Sequence, residues 1–103
     1  MPRKKFVTLT EAMFYILICL QKECCGTDIM QQVHDFTEGR VRIGPGTLYN
    51  LLNQFLNDKM IQETSVQGRR KNYQITKYGK ELLDLEYERI KQLARDYERS
   101  RFS

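Results

Sequence analysis

The spacing of apolar residues divides the chain into four predicted helices and one β-hairpin. The first helix should present an apolar face at helical spacing, made of Met13, Ile16, Leu17 and Leu20. Thr8 and Glu11 stand at capping-box spacing and are expected to begin it. Gly26 and Thr27 interrupt the pattern. A shorter second helix is then expected to turn inward Ile29, Met30, Val33 and Phe36.

The third helix has the clearest start signal in the chain. Gly44 suits the N-cap and Pro45 the first helical position, where no N–H is needed. One face of this helix is apolar and consists of Leu48, Leu51, Leu52, Phe55 and Leu56. The opposite face is uncharged before Asp58 and consists of Gly46, Asn50, Asn53 and Asn57, flanked by Thr47, Tyr49 and Gln54.

This uncharged face is unusual, because exposed helix faces commonly carry Glu and Lys for solubility. Amide side chains both donate and accept hydrogen bonds, so they can read the edges of DNA bases, and Gly and Thr permit close approach. The pattern favours a contact surface. The alternative is a solvated face, since Asn is also tolerated there.

A hairpin is predicted after the third helix. Residues 60–66 and 71–75 form two short strands, and Gly68 supplies the turn between them. Three cations lie at or beside the tip, namely Arg69, Arg70 and Lys71. Guanidinium groups on a projecting loop suit phosphates or a narrow minor groove. Behind the uncharged helix, this hairpin predicts a mainly α (α+β) winged helix-turn-helix with a two-stranded wing.

A long C-terminal helix is predicted from Lys77 to Arg101, with Thr76 as its N-cap. About 25 residues give roughly 37 Å at 1.5 Å per residue, so much of the helix must project beyond a domain of this size. Gly79 disfavours a helix and is explained by close packing near the wing. The projecting part keeps an apolar seam, made of Leu83, Tyr87, Ile90, Ala94 and Tyr97, with Leu82 and Leu93 beside it.

An apolar seam that its own chain cannot cover calls for a partner helix. We therefore predict a homodimer, with residues 1–76 as the DNA-binding domain and residues 77–103 as the dimerisation helix. The alternative is a helix folded back wholly onto its own domain.

Size and composition restrict the class of protein. A chain of 103 residues holds one domain with one modest core, and 41% hydrophobic and 29% charged residues are ordinary for a globular protein. The longest apolar stretch, residues 12–20, is too short to span a bilayer, and no cleavage site follows the positive N-terminus. The protein is expected in the cytoplasm, away from membranes.

The net charge of +4 is concentrated in the middle of the chain. Residues 36–80 carry eight basic and three acidic side chains, whereas residues 1–35 carry four of each and residues 81–103 carry five and six. Outside this segment, a basic cluster stands only at Arg3–Lys5. Such localisation favours a polyanion partner, the alternative being a solvated basic surface.

Catalytic and metal-binding chemistry is not indicated. Cys19, Cys24 and Cys25 lack the spacing of a zinc site and are interpreted as reduced, partly buried thiols, although a redox sensor at Cys24 and Cys25 stays open. His34, the single histidine, falls on the polar side of the second helix. We predict no enzyme activity and no cofactor.

Two motifs resemble the PadR-like transcriptional regulators. Residues 46–52 read GTLYNLL, Met60-Ile61 follows, and residues 68–79 read GRRKNYQITKYG. The family signature runs G-T-L-Y-x-L-L, then a helix end before Ile, then G-R-x-K-x-Y-x-L-T-x-x-G. The resemblance covers about residues 8–97. Met60 stands where Gly is usual, which puts the local turn geometry in question, and Ile75 replaces Leu.

The resemblance implies a winged helix-turn-helix dimer whose third helix enters the major groove while the wing contacts the backbone. Carried over by position, Thr47, Tyr49 and Asn50 face DNA on the helix, and Arg69, Arg70 and Lys71 on the wing. With the helix stripe, the expected DNA-binding residues are Gly46, Thr47, Tyr49, Asn50, Asn53, Arg69, Arg70 and Lys71.

The resemblance also implies repression, dimerisation partly against helix one, and release by a small aromatic or hydrophobic effector near the dimer interface. Since the chain has no Trp, Tyr87, Tyr97 or phenylalanines would have to stack on such an effector. A rival function is a winged-helix protein-interaction module whose basic wing binds an acidic partner protein. Steep salt dependence of binding to duplex DNA would separate the two. A larger MarR-type fold is disfavoured by the chain length.

Overall fold

A computed structural model describes residues 8–101 of the chain. The predicted Arg3–Lys5 arm and the last two residues lie outside this range. The elements in chain order are α1 (Glu11–Cys19), β1 (Cys24–Cys25), α2 (Gly26–Phe36), α3 (Pro45–Asn57), β2 (Ile61–Gln67), β3 (Arg70–Ile75) and α4 (Lys77–Ser100). The winged-helix prediction is confirmed, with the wing hairpin within one residue of its expected bounds.

The sheet has three strands rather than the predicted two. Its order is β1-β3-β2, and all pairs are antiparallel, so the short β1 extends the wing on the side of the helices. Cys24 pairs with Tyr73 and Cys25 with Asn72. Consequently the last two residues before α2 form a strand, and α2 begins at Gly26 itself, where the sequence had indicated only a break.

One core holds these elements together. The fully buried side chains come from all three helices of the helix-turn-helix and are Ile16, Leu17, Leu20, Ile29, Val33, Leu48, Leu52 and Phe55. The predicted apolar faces of α1 and α3 are therefore confirmed. The sheet adds Ile61 and Tyr73, and α4 adds Leu83. Burying such side chains contributes about 1.5–3 kcal/mol each.

The expected start of α1 was wrong by two residues. The N-cap is Thr10, whose hydroxyl accepts from the Met13 N–H at 3.2 Å, while Met13 Sδ accepts from the Thr10 N–H at 3.5 Å. Leu9 packs against the core and its N–H interacts with the Glu86 carboxylate. Because Thr10 caps the helix and pairs with Met13, the predicted capping box between Thr8 and Glu11 is not formed.

Phe36 was also placed wrongly by its spacing. It is the last residue of α2 and is 71% exposed. Its ring contacts the edge of Tyr15 on α1, with centroids 6.3 Å apart. Phe36 has the angular position of an inward residue, but at the last position of α2 its ring packs against Tyr15 at the surface instead of entering the core.

The turn between α2 and α3 is organised by one buried hydroxyl. Thr37 donates to the Val33 carbonyl at 2.8 Å and accepts from the Val41 N–H at 3.0 Å. Gly39 adopts a φ of 79°, which a residue with a side chain rarely takes. These contacts fix the entry of the chain into α3, whose N-cap is Gly44 and whose first residue is Pro45, as predicted.

The start of α4 packs against the connection between α3 and β2. The Met60 carbonyl accepts from the Thr76 N–H at 2.9 Å and from its hydroxyl at 3.0 Å. The same hydroxyl accepts from the Gly79 N–H and caps α4 as predicted. A Cβ at Gly79 would lie 2.1 Å from the Met60 oxygen, which explains the glycine by close packing. The left-handed residue of this turn is Lys59, with φ 66°, so Met60 needs no glycine.

Candidate nucleic-acid interface

The predicted reading surface lies on the outward side of α3. Leu48, Leu52 and Phe55 are buried on one side of the helix, so the opposite side is turned away from the core. It is exposed at the expected positions, which are Gly46, Thr47, Tyr49, Asn50 and Asn53. The result is a helix face with amide and hydroxyl groups and no charge, suited to close approach by a polar surface.

The wing presents cations at its tip. Gly68 has a φ of 63° and occupies the first position of a two-residue turn, which suits a tight hairpin. Arg69, Arg70 and Lys71 are all exposed. Lys71 Nζ lies 3.8 Å from a Glu63 carboxylate oxygen. Among the described residues, neither arginine has a carboxylate within ion-pair distance, so the two guanidinium groups carry most of the uncompensated charge.

Strand β2 is anchored to the chain before β1. A register shift between Glu63 and Ser65 marks a bulge. There the hydroxyls of Thr64 and Ser65 both donate to the carboxylate of Glu23, the second at 3.0 Å. These two bonds lower the pKa of Glu23 below its usual value. The anchor sets the direction in which the wing leaves the domain.

A cleft of about 560 Å³ joins the reading helix to the wing. Its lining residues are Cys25, Gly26, Thr27, Tyr49, Asn53, Arg69, Arg70, Lys71 and Tyr73. Five of the predicted DNA-binding residues meet there, whereas Gly46, Thr47 and Asn50 lie outside the lining. Among the nine residues are three cations and no carboxylate, so the cleft suits an anion.

The contributions of α2 and of Tyr73 to this cleft were not predicted from the sequence. Gly26 and Thr27 form the first turn of α2, and Tyr73 projects from β3. Burial, together with the Glu63 carboxylate, raises the pKa of the Tyr73 phenol, which therefore stays neutral. The glycine at position 26 was the available signal, because glycine is used where another group comes close to the backbone.

None of the three cysteines is in a disulfide within residues 8–101. Cys24 and Cys25 are buried and Cys19 is half-buried. Burial, and next the Asp28 carboxylate, raise the pKa of Cys24 to about 11, so this thiol is protonated at neutral pH. Within residues 8–101, no three metal-ligating side chains cluster together, and no helix is long and apolar enough to cross a membrane.

A second surface lies on α4, where the predicted seam divides into two parts. Leu83 is 4% exposed and belongs to the core of its own chain. The remaining seam residues, Tyr87, Ile90, Ala94 and Tyr97, are exposed. Ile90 is 40% exposed and Tyr97 is 65% exposed, and Leu93 beside them is exposed too. On this side of α4, the early turns therefore pack against the core and the later turns are exposed to solvent.

An ion pair within α4, between buried Glu86 and half-exposed Arg89, lies where the helix leaves the core. Glu86 is 3% exposed, and its carboxylate accepts from Arg89 Nε at 2.9 Å. The guanidinium of Arg89 and the backbone N–H of Leu9 lower the pKa of Glu86, although burial opposes them. A cleft of about 360 Å³ lies beside this pair, bounded by Phe14, Tyr15 and Ile90 among others.

Comparison with known proteins agrees with this architecture. A transcriptional regulator from Clostridium thermocellum is 20% identical with a TM-score of 0.77, and the match covers 84% of this chain and 89% of that one. A PadR-like transcription factor from Bacteroides fragilis is 27% identical with a TM-score of 0.72, covering 85% and 87%. A PadR-like regulator from Bacillus cereus is 22% identical with a TM-score of 0.72, covering 85% and 88%.

No curated protein matches the chain in sequence. The sequence model of the PadR-like transcriptional regulator family, however, matches residues 16–85, which is well over half of the chain. This stretch includes α2, α3, the wing and the start of α4. Members of the family are transcriptional regulators rather than enzymes, in agreement with the prediction from sequence. The chain belongs to the PadR-like family of transcriptional regulators.

Proposed function

We propose that this regulator is a cytoplasmic repressor that binds a two-fold symmetric DNA site as a homodimer. The observation that carries the proposal is the cleft where the uncharged face of α3 meets the cationic wing. In this arrangement α3 enters the major groove, and the amides of Asn50 and Asn53 bond to base edges. Arg69 and Arg70 bind phosphates or the adjacent minor groove. Repression is the mode that the family resemblance implies.

The dimer is supported by the bare side of α4. Residues 77–103 hold the partner while residues 1–76 bind DNA. Exposed Tyr87, Ile90 and Tyr97 continue the side of the helix on which Leu83 is buried. A partner helix packed along them would remove this apolar surface from water. Two copies of α3 then meet half-sites about one helical turn apart.

An effector site fits beside the dimer interface. The cleft between the start of α1 and α4 has a volume of about 360 Å³, within the range of small-molecule pockets. Phe14 and Tyr15 supply aromatic rings, and Ile90 connects the cleft to the seam. A small aromatic molecule bound there would contact both the DNA-binding domain and the dimerisation helix.

The wing is tested by replacing Arg69 and Arg70 together with alanine. We expect weaker binding to every DNA sequence, because phosphate contacts carry little sequence information. The slope of log affinity against log salt should fall by about four for the dimer, since two arginines are lost from each subunit and each one that no longer neutralises a phosphate lowers the slope by close to one. Titration of a labelled duplex at several salt concentrations measures both quantities.

The matched control replaces Lys22 and Arg95, which lie away from the wing cleft, and removes the same formal charge. It should leave the salt slope within about half a unit of the wild-type value. If the wing variant folds, dimerises and keeps its slope, the wing does not contact DNA. Salt-insensitive binding to duplex DNA by the wild type would instead favour the alternative function, a protein-interaction module for an acidic partner.

Asn50 tests base reading separately from backbone contact. Asn50→Ala should cost about 1–3 kcal/mol on the preferred site and much less on random DNA, because a bidentate amide contact is specific to its base. The preferred site is found by sequencing the DNA that purified protein retains. Gln54→Ala, at the flank of the outward face of α3, is the control. Equal decreases in affinity for both DNAs would make Asn50 a backbone contact.

A further inference from the structure

The ring of Tyr49 occupies the space beside Gly26 where another residue would have a side chain. A Cβ at Gly26 would lie 2.5 Å from the Tyr49 hydroxyl oxygen, 2.9 Å from Cζ and 3.0 Å from Cε1. Such separations fall well inside the contact distance of about 3.5–4.0 Å at which attraction is greatest. The tyrosine therefore crosses from α3 to the first turn of α2.

Nothing else at position 26 requires a glycine. The residue lies in α2, and the left-handed glycines among the described residues are Gly39 and Gly68. In a helix with ordinary backbone angles, alanine is favoured over glycine. Gly44 and Gly46 provide a comparison, since a Cβ at either would meet no atom within 4 Å. The approach of the Tyr49 ring thus accounts for the glycine.

The position of this ring bears on the whole candidate interface. Tyr49 and Asn53 are one helical turn apart on α3, and both line the cleft with Arg69, Arg70 and Tyr73. The ring thus lies where α2, α3 and the wing approach one another. A methyl group at position 26 would push it into the cleft, toward the space that an anion would occupy.

We propose that Gly26 is a positioning residue for DNA binding, because its missing side chain seats the Tyr49 ring and so sets α3 against α2 and the wing. This inference rests on the proposed DNA-binding function. It assigns a role to a residue that need not touch DNA itself. It also makes Tyr49 a spacer between two helices as well as a candidate DNA contact.

A double-mutant cycle tests the proposal. Gly26→Ala should weaken binding to the preferred site about tenfold, and Tyr49→Ala should weaken it by a similar or larger factor. Once the ring is gone, position 26 has no ring to displace. Adding Gly26→Ala to the Tyr49→Ala variant should therefore change affinity by less than about twofold. Gly44→Ala, in open space, controls for the general effect of replacing glycine.

A measurement without DNA follows the ring itself. In protein labelled with 3-fluorotyrosine, the fluorine signal that disappears in Tyr49→Phe belongs to position 49. Gly26→Ala should shift this signal and leave that of Tyr97 unchanged, since Tyr97 lies on the far part of α4. Gly44→Ala should shift neither. Thermal unfolding of all variants establishes that each is folded at the temperature of the binding assay.

The outcomes separate this inference from the proposed function. Independent, multiplicative decreases in affinity in the double variant would overturn it, and so would an unshifted fluorine signal in Gly26→Ala. A shifted signal with unchanged affinity would also overturn it, because the seat would then not matter for binding. If Gly26→Ala alone fails to fold, restored folding in the double variant supports the packing of the Tyr49 ring against Gly26. If the wild type binds no DNA, the proposed function fails, and the fluorine signal alone decides whether Gly26 seats the ring.

Discussion

Ile90→Asp is expected to separate the proposed dimer into monomers. The substitution places a carboxylate in the exposed apolar seam of α4, where the removal of water and the repulsion between the added charges of two subunits both oppose association. We expect the dimer dissociation constant to rise by roughly 100-fold or more, which corresponds to about 3 kcal/mol. Sedimentation at micromolar concentration measures the change. Specific DNA affinity should fall with it, because the two copies of α3 are no longer held at the spacing of the two half-sites.

Two further variants make the result interpretable. Leu85→Asp places the same charge on an exposed apolar residue of α4 outside the seam, and it should leave the dimer intact. Tyr97→Asp changes the seam further from the buried Glu86, so it should weaken the dimer without disturbing the core. A wild-type protein that sediments as a monomer would remove the dimer from the proposal. A dimeric Ile90→Asp variant would show that the interface lies on another surface, with α1 as the first candidate.

Gly79→Ala is expected to lower the free energy of unfolding more than any of the other substitutions proposed for this protein. Alanine normally stabilises a helix by about 1 kcal/mol relative to glycine. Here the new methyl carbon would lie 2.1 Å from the Met60 carbonyl oxygen and 2.8 Å from an Ile75 side-chain carbon. Because the first of these is a backbone atom in a packed turn, α4 must shift as a whole, and we expect the free energy of unfolding to fall by roughly 3 kcal/mol.

Thermal unfolding measures this decrease and its control. A decrease of about 3 kcal/mol lowers the melting temperature of a domain this size by at least about 12 °C. Gly46→Ala, inside α3 and with no atom within 4 Å of the new carbon, should instead gain up to about 1 kcal/mol. Equal stabilities for Gly79→Ala and the wild type would contradict the close contact between α4 and Met60.

Elements with strong local signals were predictable from the sequence. Pro45 after a glycine N-cap marks the start of α3, and Thr76 marks the start of α4, as the structure confirms. The hairpin was found because alternation and Gly68 point to the same turn. In each case the determining interactions lie within a few residues of one another, so they are visible in a single sequence.

Features that depend on distant partners were not predictable. The two residues of β1 show no alternation, and their strand conformation comes from pairing with β3. The start of α1 is set by Thr10, whose hydroxyl caps the Met13 N–H, although Thr8 offers the same residue type two positions earlier. Leu83 has the spacing of the seam, but only the folded structure shows that it is buried in the core of its own chain.

The candidate interface divides in the same way. The outward face of α3 follows from helical periodicity once the apolar face is known, and the cations of the wing follow from the turn. The seat of Tyr49 against Gly26 requires the angle between α2 and α3, which no local pattern encodes. Sequence alone therefore named the two parts of the surface but not the joint between them.

The contacts that converge on the Met60 carbonyl join the DNA-binding domain to α4 at one point. The end of α3, the base of both wing strands and the root of α4 meet at this point. The 24 residues of α4 span about 36 Å. Tilting the helix by about 10° about its first turn therefore moves its far end by roughly 6 Å. In a dimer joined along α4, a small change of angle at the joint would therefore alter the separation of the two reading helices by several ångströms. In such a dimer, the angle between α4 and the domain would set the distance between the two copies of α3, without any change in α3 itself.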